Sequence, residues 1–157
     1  MTRIGNIFCA EIDNQYKVYF QYVAKDWEQL NSAVIRVFKK HYAIDYVPNF
    51  DEIVKGEVQF YAHVLLNDGI HEGVWYKAGT HKDLGDTENI GFRLCSEGSY
   101  AHMTKSYRWY VWKINQPHIR IGEMMKEYEH YDMGWVFPYR EIISKIKTGK
   151  FIIKILD

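Results

Sequence analysis

A disulfide framework, a membrane-length apolar run and a net electric field are all missing from this sequence. Only two cysteines, Cys9 and Cys95, occur in 157 residues, and a domain of this size stapled by disulfides carries more of them at tighter spacing. Both thiols are therefore expected to be reduced and packed in a core. No window approaches the run of about 18 apolar residues needed to cross a bilayer. Arg3, Glu11 and Asp13 leave only a short apolar stretch between them near the start, too short for a secretory signal. With three prolines and eleven glycines there is neither a linker nor a low-complexity segment. The formal net charge is zero, so no global basic field draws the chain to nucleic acid or to an anionic membrane. The expectation is a single reduced, cytoplasmic domain over residues 1–157, long enough to bury about two thirds of its unfolded surface.

What the chain has in excess is aromatic strand. Thirteen Tyr, eight Phe and five Trp are present, and runs such as Tyr16-Lys17-Val18-Tyr19-Phe20 and Trp109-Tyr110-Val111-Trp112 read as β. Ile4 to Ile12 and Tyr16 to Ala24 flank the polar turn Asp13-Asn14-Gln15 and form a hairpin. Ala33 to Phe38 is nearly all apolar and so is expected to be covered on both faces. Asp51 caps a short helix ended by Gly56, Glu57 to Leu66 is strand, and Asn67-Asp68-Gly69 is a turn. Further strands are expected at 73–77, 92–95, 107–114, 118–121 and 135–137, and at the apolar end 151–156. Exposed loops are expected at 78–89 and 96–106, and a short helix at 122–131. The clearest helix is 139–148, with Ile142, Ile143 and Ile146 in one stripe, Pro138 before it and Gly149 at its end. The fold class is mainly β (α+β): one compact domain of mostly antiparallel sheet, for which barrel-like closure is one arrangement, with one or two short helices.

Charge is unevenly placed. Residues 45–97 hold ten acidic groups against four basic, whereas 98–157 hold ten basic against six acidic. An acidic middle complements a cationic partner, because opposed potentials speed encounter and set register. The alternative is a set of solvated loops.

No spacing defines a catalytic centre. The seven histidines are dispersed, with neither Cys-x-x-Cys nor His-Glu-x-x-His. His63 and His71 flank a turn, where His81 and Glu72 could join them, yet without a ligand spacing isolated surface or interface histidines are the expected reading. Cys9 and Cys95 sit in apolar strand contexts that keep a thiol protonated. Ser96-Glu97-Gly98-Ser99 does not match a nucleophile elbow. Gly79 to Gly85 lacks the Gly-Lys-Ser/Thr ending of a phosphate loop. Tyr107, Trp109, Tyr110 and Trp112, near Lys105, Arg108 and Lys113, could stack a base or sugar, although at least one face of that strand must be core.

Several segments together resemble the immunity protein 26 family of bacterial polymorphic toxin systems. They are Ile4-Gly5-Asn6-Ile7-Phe8, Val34 to Phe38, Asp51 to Val54, Trp75, Trp112 to Ile114, and Trp135-Val136-Phe137-Pro138 with the helix after it. Asn6 departs from the pattern, which has Asp there. The resemblance implies a cytoplasmic antitoxin that binds and neutralises a cognate toxin. It implies no catalytic residue, no metal and no cofactor. The contact residues expected on this reading are Glu72, Asp83, Asp86 and Glu88, in loops of the acidic segment facing a cationic toxin surface, with no membrane partner and nucleic acid disfavoured. Two other readings stay open: a small-ligand or single-stranded nucleic-acid binding module using exposed aromatics, and a hydrolase drawing on His and carboxylates of 63–88.

Overall fold

The computed structural model describes residues 1–96 and 105–154. Two sheets face each other. The larger has seven strands, and its main path runs β11-β5-β3-β2-β1-β6, with β4 paired to β2. Its antiparallel centre is β1 (Asn6–Ile12), β2 (Tyr16–Asp26), β3 (Ser32–Phe38) and β5 (Val58–Val64). Around it lie β4 (Tyr42–Ala43), β6 (Tyr76–Thr80) and β11 (Val136–Phe137), the last paired parallel to β5. The smaller sheet has the order β10-β7-β8-β9, from β7 (Gly91–Cys95), β8 (Trp109–Lys113), β9 (Ile119–Gly122) and β10 (Asp132–Met133). Neither sheet closes into a barrel; the class is α+β with mostly antiparallel pairing. No helix among the described residues is long and apolar enough to cross a membrane.

The β1–β2 hairpin turns through Asp13 and Asn14, both at positive φ, a conformation that Asp and Asn tolerate better than other side chains. Both faces of the larger sheet are covered, which explains why β2 and β3 are buried almost throughout. Phe8, Phe20, Val34 and Ala62 of the larger sheet belong to one buried cluster with Phe92, Leu94 and Trp112 of the smaller; in it Phe20 meets Trp75 edge-on, while His63, the register partner of Val34, lies against Phe92. Ile7, Cys9, Tyr19 and Phe38 form a second cluster with Tyr42, Ile53 and Val54. Tyr19 therefore sits in a second core rather than in solvent.

Three helices decorate the sheets. The stripe Ile142, Ile146 of α3 (Tyr139–Thr148) is buried as its spacing requires, and Gly149 closes it at φ 79. The helix α1 (Phe50–Ile53) is capped by Asn49, whose side chain accepts from the Glu52 N–H, not by Asp51. Where a turn is expected at Asn67-Asp68-Gly69, the chain forms α2 (Leu66–His71). The cause is tertiary. The Trp75 indole lies so close to Gly69 that a Cβ there would fall 2.1 Å from the ring, and its Nε1 donates to the Leu66 carbonyl at 3.0 Å. The next strand starts at Tyr76 instead of Gly73.

The expected helix at 122–131 is reduced to one 3-10 turn, Lys126–Tyr128. Phe151 to Lys154 is not strand. Phe151 stacks on Phe137 at 3.9 Å, and the buried Glu141 carboxylate accepts the Ile152 and Ile153 N–H groups, tying this segment to α3 without a ladder. The loop expected at 96–106 falls largely on 97–104, outside the described residues.

A single carboxylate joins the sheets. Asp26, at the end of β2, accepts from His63 Nε2 of β5 at 2.9 Å and from Trp112 Nε1 of β8 at 3.0 Å. Its other oxygen accepts from the backbone N–H of Asn115 at 3.0 Å and of Gln29 at 3.2 Å. The Asp26 and His63 side chains are both 0% exposed. Burial alone would raise the Asp26 carboxyl; the hydrogen bonds from His63, Asn115, Trp112 and Gln29 outweigh it and hold the group below its ordinary 3.8.

Removing this acceptor strands two buried donors, so Asp26→Ala is expected to lose about 3–5 kcal/mol in urea unfolding. A lowered folded-state pKa stabilises above the ordinary value, and that contribution fades as pH falls through the lowered one. The acid limb of the stability curve below about pH 3.8 should therefore be shallower in Asp26→Asn than in wild type. Equal slopes would contradict the assignment.

Candidate functional site: a braced acidic loop

Residues 81–90 connect the edge strand β6 to β7, and the path they take is set by two buried polar side chains of the larger sheet. Gln21 of β2 and Arg36 of β3 are register partners, 0% and 5% exposed. Strand alternation puts them on the same face as Tyr19 and Phe38, but beyond the apolar cover of that face. Arg36 Nε donates to Gln21 Oε1 at 2.9 Å. Gln21 Nε2 donates to the carbonyls of His81 at 3.0 Å and Gly5 at 3.3 Å. Arg36 also donates to the Asp83 carbonyl at 2.8 Å. The loop thus crosses over β1, β2 and β3, held by its backbone. Burial pushes the Arg36 guanidinium down from its ordinary value, and the Asp83 carboxylate opposes that shift. At Gly85, with φ +72, a Cβ would lie 2.5 Å from the same guanidinium, so the close approach requires glycine.

The loop's own side chains lock it further. The Asp83 N–H donates to His81 Nδ1 at 3.0 Å, which leaves the proton of that imidazole on Nε2, where it donates to Asp51 Oδ1 at 2.7 Å. Asp83 Oδ1 accepts from the Gly85 N–H at 3.0 Å. Asp86 accepts from Asn89 Nδ2, and Asn89 Oδ1 accepts from Lys113 Nζ at 3.2 Å. Asp83, Asp86 and Glu88 are all exposed. The result is a loop whose backbone is bonded from beneath while its carboxylates point to water.

Of the four contact residues expected from the sequence, Asp83, Asp86 and Glu88 share this loop. Glu72 is exposed but lies elsewhere, at the C-terminal cap of α2. Asp51 was missed: as a presumed helix cap it had no other role, whereas Asn49 takes the cap and frees Asp51 to join Asp83 through His81. Gln21 and Arg36 were missed as well. The only hint was a polar pair opposite each other on two otherwise apolar strands.

The other candidates do not assemble. His63 is sealed beside Asp26, His71 ends α2 and His81 pairs with Asp51, so these three do not converge. Among the described residues no three His, Cys, Asp or Glu side chains gather as metal ligands. The Asp26–His63 pair has the components of a general base, yet both side chains are fully buried and His63 Nδ1 has no hydrogen-bond partner among the described residues. Burial pushes the Cys9 thiol up, against hydrogen bonds from Tyr76 and Tyr19, which disfavours the nucleophilic thiolate. No protein-family model, curated protein or solved structure matches the chain.

If Arg36 braces the loop, Arg36→Met should free it while leaving the sheet folded. Amide exchange at Asp83 and Gly85 is expected to quicken about tenfold or more, equivalent to about 1.4 kcal/mol of lost local stability. Unchanged exchange at these amides, with β3 intact, would show that the loop does not depend on Arg36.

Proposed function

We propose that this protein is a cytoplasmic binding module of the immunity type, which neutralises a bacterial toxin by covering a cationic surface of it and performs no chemistry of its own. The observation that carries this reading is the braced acidic loop. A buried guanidinium and a buried amide hold the backbone of a segment that exposes Asp83, Asp86 and Glu88. A loop ordered before binding loses less entropy on association, and exposed carboxylates attract a cationic partner and set its orientation. The sequence resemblance to the immunity protein 26 family supports the same reading. So does the excess of acidic groups in 45–97.

In this reading the loop supplies long-range attraction, and aromatic or apolar neighbours supply the anchors. The toxin's own identity and activity belong to its side of the interface.

The test is co-production in a bacterial host with a toxin domain encoded beside the chain's gene. Growth should be restored by the wild-type chain. For the purified pair, reversing Asp83, Asp86 and Glu88 together to Lys should slow association about tenfold or more at low salt, with the difference shrinking as salt rises. Failure of the wild-type chain to restore growth, or an association rate untouched by the reversal, counts against the proposal.

A further inference from the structure

The smaller sheet carries a cleft that the acidic loop does not use. It has a volume of about 540 Å³, within the range of small-molecule sites. Among the described residues it is lined by Tyr107, Trp109 and Tyr110 with Arg108, His118 and Arg120, and by Ser96 and Gly122. Aromatic rings and cations alternate there, and no described Asp or Glu lines it.

The local construction follows from the β8–β9 ladder. Tyr110 and Arg120 are register partners, so they emerge side by side on one face. The Tyr110 ring has two ring neighbours. Trp112 stacks at 5.7 Å with 24° between planes, and His118 lies at 5.0 Å. Trp112 is itself fixed by Asp26, so the ring series Trp112, Tyr110, His118 starts in the core and ends at the surface. Tyr107 is 63% exposed at the rim, with Lys105 Nζ 5.1 Å from its ring centre and bonded at 3.0 Å to Glu123. The Arg120 guanidinium makes no ion pair or side-chain hydrogen bond among the described residues.

We infer that this cleft is a binding site for a mononucleotide, with the base stacked against the exposed Tyr107 and the phosphate held by Arg120 and His118. A flat ring gains most from an aromatic wall of this kind. A guanidinium presents paired donors that match phosphate oxygens, and a protonatable imidazole beside it suits a doubly charged anion better than a single carboxylate. The proposal is independent of the toxin-binding reading.

Titration of the full chain with adenosine 5′-monophosphate, followed by Trp fluorescence, tests it, because Trp109 lines the cleft. Saturable quenching is expected. Adenosine alone and inorganic phosphate alone should each bind at least tenfold more weakly. Arg120→Gln, at an exposed position, should weaken the nucleotide at least tenfold with an unchanged melting temperature, and Tyr107→Ala should weaken it with the same fold retained. Absence of saturation up to about 1 mM, or equal affinity in Arg120→Gln, overturns the proposal. So does adenosine binding as tightly as the monophosphate. Affinity for single-stranded oligonucleotides that grows with length, without any for the mononucleotide, overturns it in favour of a strand-binding surface.

Discussion

The whole arrangement depends on one buried carboxylate. Asp26 ends the longest strand of the larger sheet, and from there it meets a donor on that sheet, a donor on the smaller sheet and two backbone N–H groups of the adjoining turns. An isolated charge in such a position would be strongly unfavourable. Four hydrogen bonds make it tolerable, and they also make it selective, since only one relative placement of the sheets brings His63 and Trp112 to the same oxygen. The apolar cluster that includes Val34, Phe92 and Trp112 also buries surface between the sheets, but it has no comparable directional demand.

The same logic recurs, in a weaker form, at Gln21 and Arg36. They occupy positions that strand alternation would fill with apolar residues if an apolar element covered them. What covers them is a loop backbone, and carbonyl groups of a loop need donors. The guanidinium and amide satisfy two such carbonyls, at His81 and Asp83, and that of Gly5 before β1. A polar patch inside the fold thereby decides the shape of an acidic patch outside it. The carboxylates that a partner would meet stand on a frame that extends, through β2, to Asp26 itself.

Much of the framework was legible in the sequence. The hairpin at Asp13-Asn14, the doubly buried strand ending at Phe38 and the helix at 139–148 follow from local pattern and turn chemistry alone, because each is set by residues near one another in the chain. The failures share a different cause. Gly69 lies in a helix because Trp75 packs on it, and Phe151 to Lys154 is held by Glu141 and Phe137 where its composition suggested a strand. The candidate site divides in the same way. Three exposed acids close together in sequence were readable as one loop, whereas the brace beneath it joins Gln21 to a carbonyl 60 residues away and Arg36 to one 47 residues away. No periodicity reports such a pairing. Asp51 was hidden by its proximity to a helix start, which suggested a cap and so concealed a surface role.

The most direct measurement of the central claim is native-state amide hydrogen exchange, comparing β2 and β3 with β7 and β8. In the wild-type chain the slowest amides of both sheets are expected to share one opening free energy, because the sheets unfold as a unit. In Asp26→Asn the two groups are expected to separate, with β7 and β8 opening at lower free energy while β2 and β3 stay protected. If both sheets still open together in the variant, Asp26 is not what couples them, and the coupling belongs to the apolar core alone.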